Sequence, residues 1–127
     1  MRRILITLLA LCALGTAATA LAGSPPDALR LEPPKGMEAA KSPVDFPHGR
    51  HTGAVADCTA CHHTWDGKAE IKACGSAGCH DQPGKKGETA YYTAFHAKDT
   101  NRSCLGCHKT AKKDGKPAPV SCKQCHK

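Results

Sequence analysis

The chain has 127 residues, nine Cys, eight His, five aromatic residues (one Trp, two Tyr, two Phe) and a formal charge of +7. From Gly23 onward it carries 13 large apolar side chains: three Leu, three Val, one Ile, one Met and the five aromatics. A domain of this length ordinarily needs a dense apolar core to offset the entropy of ordering its chain, so a conventional all-protein core is excluded. Either the chain is disordered or something else fills its interior.

Residues 1–22 read as an export signal to be removed. Arg2 and Arg3 form the positive start, Ile4 to Leu14 is an apolar run, and Ala18-Thr19-Ala20 and Ala20-Leu21-Ala22 are small-x-small cleavage patterns. Cleavage after Ala22 is favoured, with Ala20 as the alternative. The run is too short and too small-ended for a membrane anchor. Cys12 leaves with the signal, so eight Cys remain, and the loss of two Arg lowers the charge to +5. Export leads to an oxidising compartment, where four disulfides are the first alternative to weigh.

The rest, 23–127, reads as one domain. Gly23 to Pro47 holds six of the nine prolines and no Cys or His, and is expected to be an extended lead-in. It includes a short strand near Ala28–Leu31, one arm of a short N-terminal β-hairpin. All mature Cys and His lie between His48 and His126. Glu88 to Lys98 is the best helix and sets Tyr92, Phe95 and His96 on one side. Arg102 to Lys113 is a second helix. Asp81–Gly87 and Asp114–Pro119 are loops by their Gly, Pro and Lys content. The fold class is therefore mainly α with much irregular loop.

Three segments read Cys-x-x-Cys-His: Cys58-Thr-Ala-Cys61-His62, Cys104-Leu-Gly-Cys107-His108 and Cys122-Lys-Gln-Cys125-His126. A fourth, Cys74-Gly-Ser-Ala-Gly-Cys79-His80, has a longer gap whose two extra residues must bulge outward, with Gly75 and Gly78 supplying backbone freedom. This is the attachment pattern of c-type haem. Two thiols a helical turn apart add to the two vinyl groups of one porphyrin edge, and the following His reaches the iron. Disulfides would not require a His after every second Cys. Zinc sites use separated His pairs and need no Cys-His adjacency.

After His62, His80, His108 and His126 are assigned to the motifs, His48, His51, His63 and His96 remain. Eight Cys and eight His divide into four sets of two and two, which implies four covalent haem c groups, each iron held by two histidines. Bis-histidine ligation points to low potentials. Adjacent His62 and His63 must serve different haems, and His48 and His51, three apart, suit two neighbouring ones. A compact chain of about 100 residues has a radius of gyration of roughly 13 Å, so four macrocycles within it nearly touch.

With these motifs in view, the sequence resembles the class III cytochromes c, the tetrahaem c3 type of sulfate-reducing bacteria. The resemblance runs from about Lys41 to His126 and includes Phe46-Pro47-His48-x-x-His51, Cys58-x-x-Cys61-His62-His63, the long Cys74–His80 motif and Tyr91-Tyr92-x-x-Phe95-His96. Some members have a long gap in the last motif too, whereas Cys122–Cys125 is short. The resemblance implies a multihaem fold built around four haems, with ligand couples His48/His62, His63/His80, His51/His108 and His96/His126. It implies a monomeric periplasmic carrier between hydrogenase or formate dehydrogenase and membrane-bound cytochrome complexes in sulfate respiration, coupling electron to proton uptake. It also implies a basic patch near the fourth haem at Lys41, Lys85, Lys86, Lys98, Lys112, Lys113 and Lys123, suited to steering acidic partners. Phe46, Tyr92, Phe95 and Trp65 are expected to pack on haem faces.

Two other functions compete. A small-molecule reductase needs an iron with an open position, and the histidine count leaves none; outer-sphere reduction of metal ions stays open as a side activity. A structural or zinc-storage protein would need no haem. Nucleic acid is a poor partner for an exported chain with so few aromatics. The expectation is an electron carrier, not an enzyme.

Overall fold

A computed structural model describes residues 24–127. The export signal expected over 1–22, with Cys12, lies outside the described residues.

The lead-in forms two three-residue strands, β1 (Leu29–Leu31) and β2 (Val44–Phe46), paired antiparallel with Leu29 opposite Phe46 and Leu31 opposite Val44. Alternation puts these four apolar side chains on one face, while Arg30 and Asp45 pair on the other. The Arg30 guanidinium lies 3.1 Å from both Asp45 and Glu32 carboxylates, an exposed arrangement that contributes little energy. Helix α1 (His48–Ala54) follows directly. The lead-in crosses its first turn: the Gly49 N–H donates to the Asp27 carbonyl at 2.8 Å, and a Cβ on Gly49 would meet the Asp27 carboxylate at 2.7 Å.

A 3-10 turn covers Cys58–Ala60, and the chain then runs through turns and bends to residue 90. Helix α2 is Tyr91–His96, α3 is Cys104–Lys113 and α4 is Cys122–Cys125; α2 packs on α3. The helix expected over Glu88–Lys98 is thus shorter at both ends. Glu88 and Thr89 form a turn, and Ala90 is held extended by a bridge to Gln82, in which Tyr91 N–H donates to the Gln82 carbonyl at 3.0 Å. The expected loops at 81–87 and 114–119 hold no helix and no strand longer than that bridge.

Among the described residues Ala90, Ser103 and Gly106 are buried, and no large side chain is. Leu29, Val55, Ile71 and Tyr92 are exposed. The protein part is therefore a framework rather than a packed layer, as the shortage of apolar residues requires. Its tightest corner among the described residues joins α2 to α3. There the Ser103 hydroxyl donates to the Ala97 carbonyl and accepts from Gly106 N–H at 3.0 Å. A Cβ on Gly106 would run into the Thr100 carbonyl oxygen. Among the described residues no helix is long and apolar enough to cross a membrane.

Candidate functional site

Three of the four cysteine motifs begin at a capped turn. The Asp57 carboxylate accepts from Thr59 N–H at 2.9 Å ahead of Cys58, Ser103 caps the turn that starts at Cys104, and Ser121 forms a reciprocal box with Gln124 around Cys122. The capped turn draws the two cysteines onto one side and hands the chain to the following His. His62 N–H donates to the Cys58 carbonyl at 2.9 Å and His126 N–H to the Cys122 carbonyl at 2.8 Å. The long motif closes the same link, His80 N–H to Cys74 carbonyl, at 2.9 Å. Its extra residues are taken up by a turn in which Gly78 has a φ of +77°, a conformation that favours glycine. Gly75 does something else. Its φ is ordinary, and it makes room: a Cβ there would sit 3.1 Å from both the Pro34 ring and the Tyr91 ring.

The eight histidine rings stand in four couples. Centroid separations are 6.4 Å for His48 and His62, 5.8 Å for His63 and His80, 5.9 Å for His51 and His108, and 6.2 Å for His96 and His126. The couples coincide with those the resemblance implies. A metal–imidazole bond is about 2 Å, and the ring centre lies about 1 Å further, so two imidazoles on opposite sides of one metal have centres about 6 Å apart. The donor set and its spacing fit an iron between each couple. Among the described residues no three His, Cys, Asp or Glu side chains converge to hold a bare metal ion.

Main-chain carbonyls orient most of these rings. Nδ1 of His48 donates to Pro26 at 2.8 Å, of His51 to Pro47 at 2.9 Å, of His96 to Tyr92 at 3.0 Å, of His108 to Pro119 at 2.8 Å and of His126 to Ser42 at 2.8 Å. A carbonyl can only accept, so the proton sits on Nδ1 and the Nε2 lone pair is free for a metal. Burial, and then the neighbouring His48, hold His62 below the usual imidazole range against a backbone hydrogen bond at Lys72, which favours the neutral, ligating form.

Burial raises the Cys61, Cys74 and Cys125 thiols above their usual range and pushes Cys104 up to about 12. Next in effect on Cys104 come Cys74, Cys61 and Cys125, one from each of the other motifs, so the four motifs converge.

The aromatics divide. Tyr92 stacks on His96 at 4.1 Å and 10°, and Phe46 lies 4.3 Å from the His51 ring. Phe95 packs edge-on against Tyr91 at 4.8 Å. Trp65 closes a local turn by donating to the Ala69 carbonyl at 2.6 Å. On the surface, an open depression of about 380 Å³ is lined by Lys98, Lys112 and Lys113 of the expected basic patch, joined by Lys109. A second, of about 600 Å³, adds Lys116 and Lys127. Lys85 sits over Tyr92, its ammonium 5.6 Å from the ring centre. Sequence reasoning missed the capping residues, although Ser121-x-x-Gln124 is a readable capping box. It also missed the carbonyl partners of the histidines, which carry no side-chain signal.

Fold and site together define a small c-type cytochrome: a core-poor framework presenting paired thiols and paired imidazoles. The sequence pattern of the Class III cytochrome C family matches residues 26–126. A cytochrome c3 of Maridesulfovibrio salexigens is 48% identical over 99 residues, covering 76% of this chain and 89% of the relative. Among solved structures, the di-tetraheme cytochrome c3 of Desulfovibrio gigas superposes with a TM-score of 0.70 at 30% identity, covering 80% of this chain and 96% of that one. Oxidized cytochrome c3 of Desulfovibrio desulfuricans ATCC 27774 gives 0.61 at 34% identity, covering 84% and 100%. The chain belongs to the class III cytochrome c family. It is accordingly a multihaem electron-transfer protein with covalently bound haem c.

Proposed function

We propose that this chain is a monomeric periplasmic carrier with four bis-histidine haem c groups, made as a precursor whose residues 1–22 are removed. The observation that carries the reading is the spacing of the four imidazole couples, 5.8 to 6.4 Å between ring centres. Cys58 and Cys61, Cys74 and Cys79, Cys104 and Cys107, and Cys122 and Cys125 would hold the porphyrins. Bound haem supplies a reversible one-electron couple. The chain's own carbonyls hold five of the eight imidazoles in one tautomer, and its histidines would leave no ligand position open. Low potentials follow from two histidine ligands per iron.

The carrier would exchange electrons with a periplasmic hydrogenase or formate dehydrogenase and with membrane-bound cytochrome complexes, with coupled proton uptake. Support for an acidic partner is the lysine-lined surface of α3 and the chain end. Haem content by pyridine haemochrome should give four per chain, with a low-spin visible spectrum and no substantial carbon monoxide binding after reduction. Three haems, or strong carbon monoxide binding at one, would break the reading. Lys98→Glu or Lys123→Glu should slow reduction by hydrogenase, more at low salt. Equal rates at all salt concentrations would remove the docking role.

A further inference from the structure

The four imidazole couples are not held alike. Both rings of His51/His108 and of His96/His126 donate Nδ1–H to a carbonyl. In the His48/His62 couple only His48 does so, to Pro26. The remaining couple differs. Nδ1 of His80 is buried with no hydrogen-bond partner, and His63 is exposed and makes no side-chain hydrogen bond among the described residues.

An imidazole bound through Nε2 keeps its proton on Nδ1. Sharing that proton with a carbonyl pushes electron density toward Nε2 and makes the ring a stronger donor. A stronger donor favours the ferric over the ferrous state and lowers the potential. From this, resting on the bis-histidine reading above, we propose that the site carried by Cys74 and Cys79 and ligated by His63 and His80 has the highest intrinsic electron affinity of the four. Its two rings are the least supported donors, so its ferric state is the least stabilised.

Two charge effects act against the ranking. Asp81, next to His80, and Asp66, three residues after His63, favour a ferric site there. The lysines of α3 favour ferrous sites at the other end of the chain. All of these lysines are exposed, as is Asp66, and Asp81 is half-buried. At 1 M salt the screening length is about 3 Å, which suppresses them and leaves the ligand difference.

The test is potentiometric reduction of the complete haem-loaded protein in 1 M salt, followed by NMR with haem-methyl signals assigned to each motif. The Cys74/Cys79 site should be reduced first, with an electron affinity about tenfold above the mean of the others, which is about 59 mV for one electron. Reduction together with or after the others would overturn the proposal. A variant lacking Gly23–Pro26 removes the carbonyl that holds His48. It should raise the affinity of the His48/His62 site severalfold and leave those of α3 and α4 in place; an unmoved first site would also overturn it. The oxidised spectrum separates the two readings. A high-spin signal at the second motif would defeat bis-histidine ligation itself, whereas four low-spin sites in another order would defeat only the ranking.

Discussion

Two stretches each carry two cysteine motifs, and they fold differently. Between Cys58 and Thr89 the structure has a single 3-10 turn and otherwise turns, bends and the bridge residue Gln82. Between Tyr91 and Lys127 it has α2, α3 and α4. Apolar content does not explain this, since large side chains are sparse in both. Local capping does. Ser103 and Ser121 open regular helices, whereas no side chain caps Cys74 and the extra residues of that motif interrupt any helical turn. Yet the link from motif His N–H to first Cys carbonyl is the same in both, 2.9 Å at His80 and 2.8 Å at His126. In a chain without a core, the attachment turn is the invariant unit, and regular structure around it is optional.

The comparison predicts its largest effect when the prosthetic groups are withheld. Burial of several hundred Å² per porphyrin is worth on the order of ten kcal/mol each. The α3 helix, ten residues long, is below the roughly 12–15 residues at which isolated helices become marginal in water. Both stretches should therefore unfold in a haem-free chain, and far-ultraviolet circular dichroism should show a coil. A surviving helical signal would mean that the C-terminal stretch folds by itself.

Glycine substitutions sharpen the contrast at the next scale. Gly106→Ala would drive a Cβ into the backbone carbonyl of Thr100 at the α2–α3 corner, which has no space to give. The expected loss is about 3 kcal/mol or more, at or above the upper end for overpacking. Gly78→Ala meets nothing within 4 Å and bears only the cost of a φ of +77°, about 1–2 kcal/mol. Thermal midpoints of the two variants should be well separated, with Gly106→Ala lower. Equal midpoints would show that the corner is not the rigid part of the framework. Below these comes Ser121→Ala, which removes the box around α4 and should cost about 1 kcal/mol in the same measurement.

What could be read ahead of the structure follows the same division. The Cys and His patterns, the loops at 81–87 and 114–119 and the strand near Ala28–Leu31 are written in residue types with strong local preferences, and the strand appears one residue shorter, as Leu29–Leu31. Helix α3 ends at Lys113 as expected and begins at Cys104 rather than Arg102, because Ser103 takes the capping position. The start of α2 was not legible, since a bridge to Gln82 from outside the segment decides it. Nor were the carbonyls of Pro26, Ser42 and Pro119 behind the histidines, because main-chain acceptors look alike at every position.

The smallest expected effect is a difference in acid sensitivity. The middle stretch ties its turns with carboxylates. Asp57 is held below the usual range by the Thr59 hydroxyl and then its N–H, Asp66 by the N–H groups of Ala69 and Lys68, and Asp81 by Gly78 N–H and then Gln82. The C-terminal stretch uses the hydroxyls of Ser103 and Ser121, which do not titrate in this range. A carboxylate with a depressed folded pKa contributes stability above its unfolded value of 3.8 and loses it as the pH falls through the folded value. Lowering the pH from about 5 to below about 3 should therefore lower amide protection factors in the middle stretch, measured against the unstructured exchange rate at each pH, while α3 and α4 keep theirs. Asp57→Asn keeps an acceptor and removes the charge, so the protection factors near Cys58 should lose their pH dependence. Parallel loosening of both stretches would show that the acid response comes from groups other than these three carboxylates.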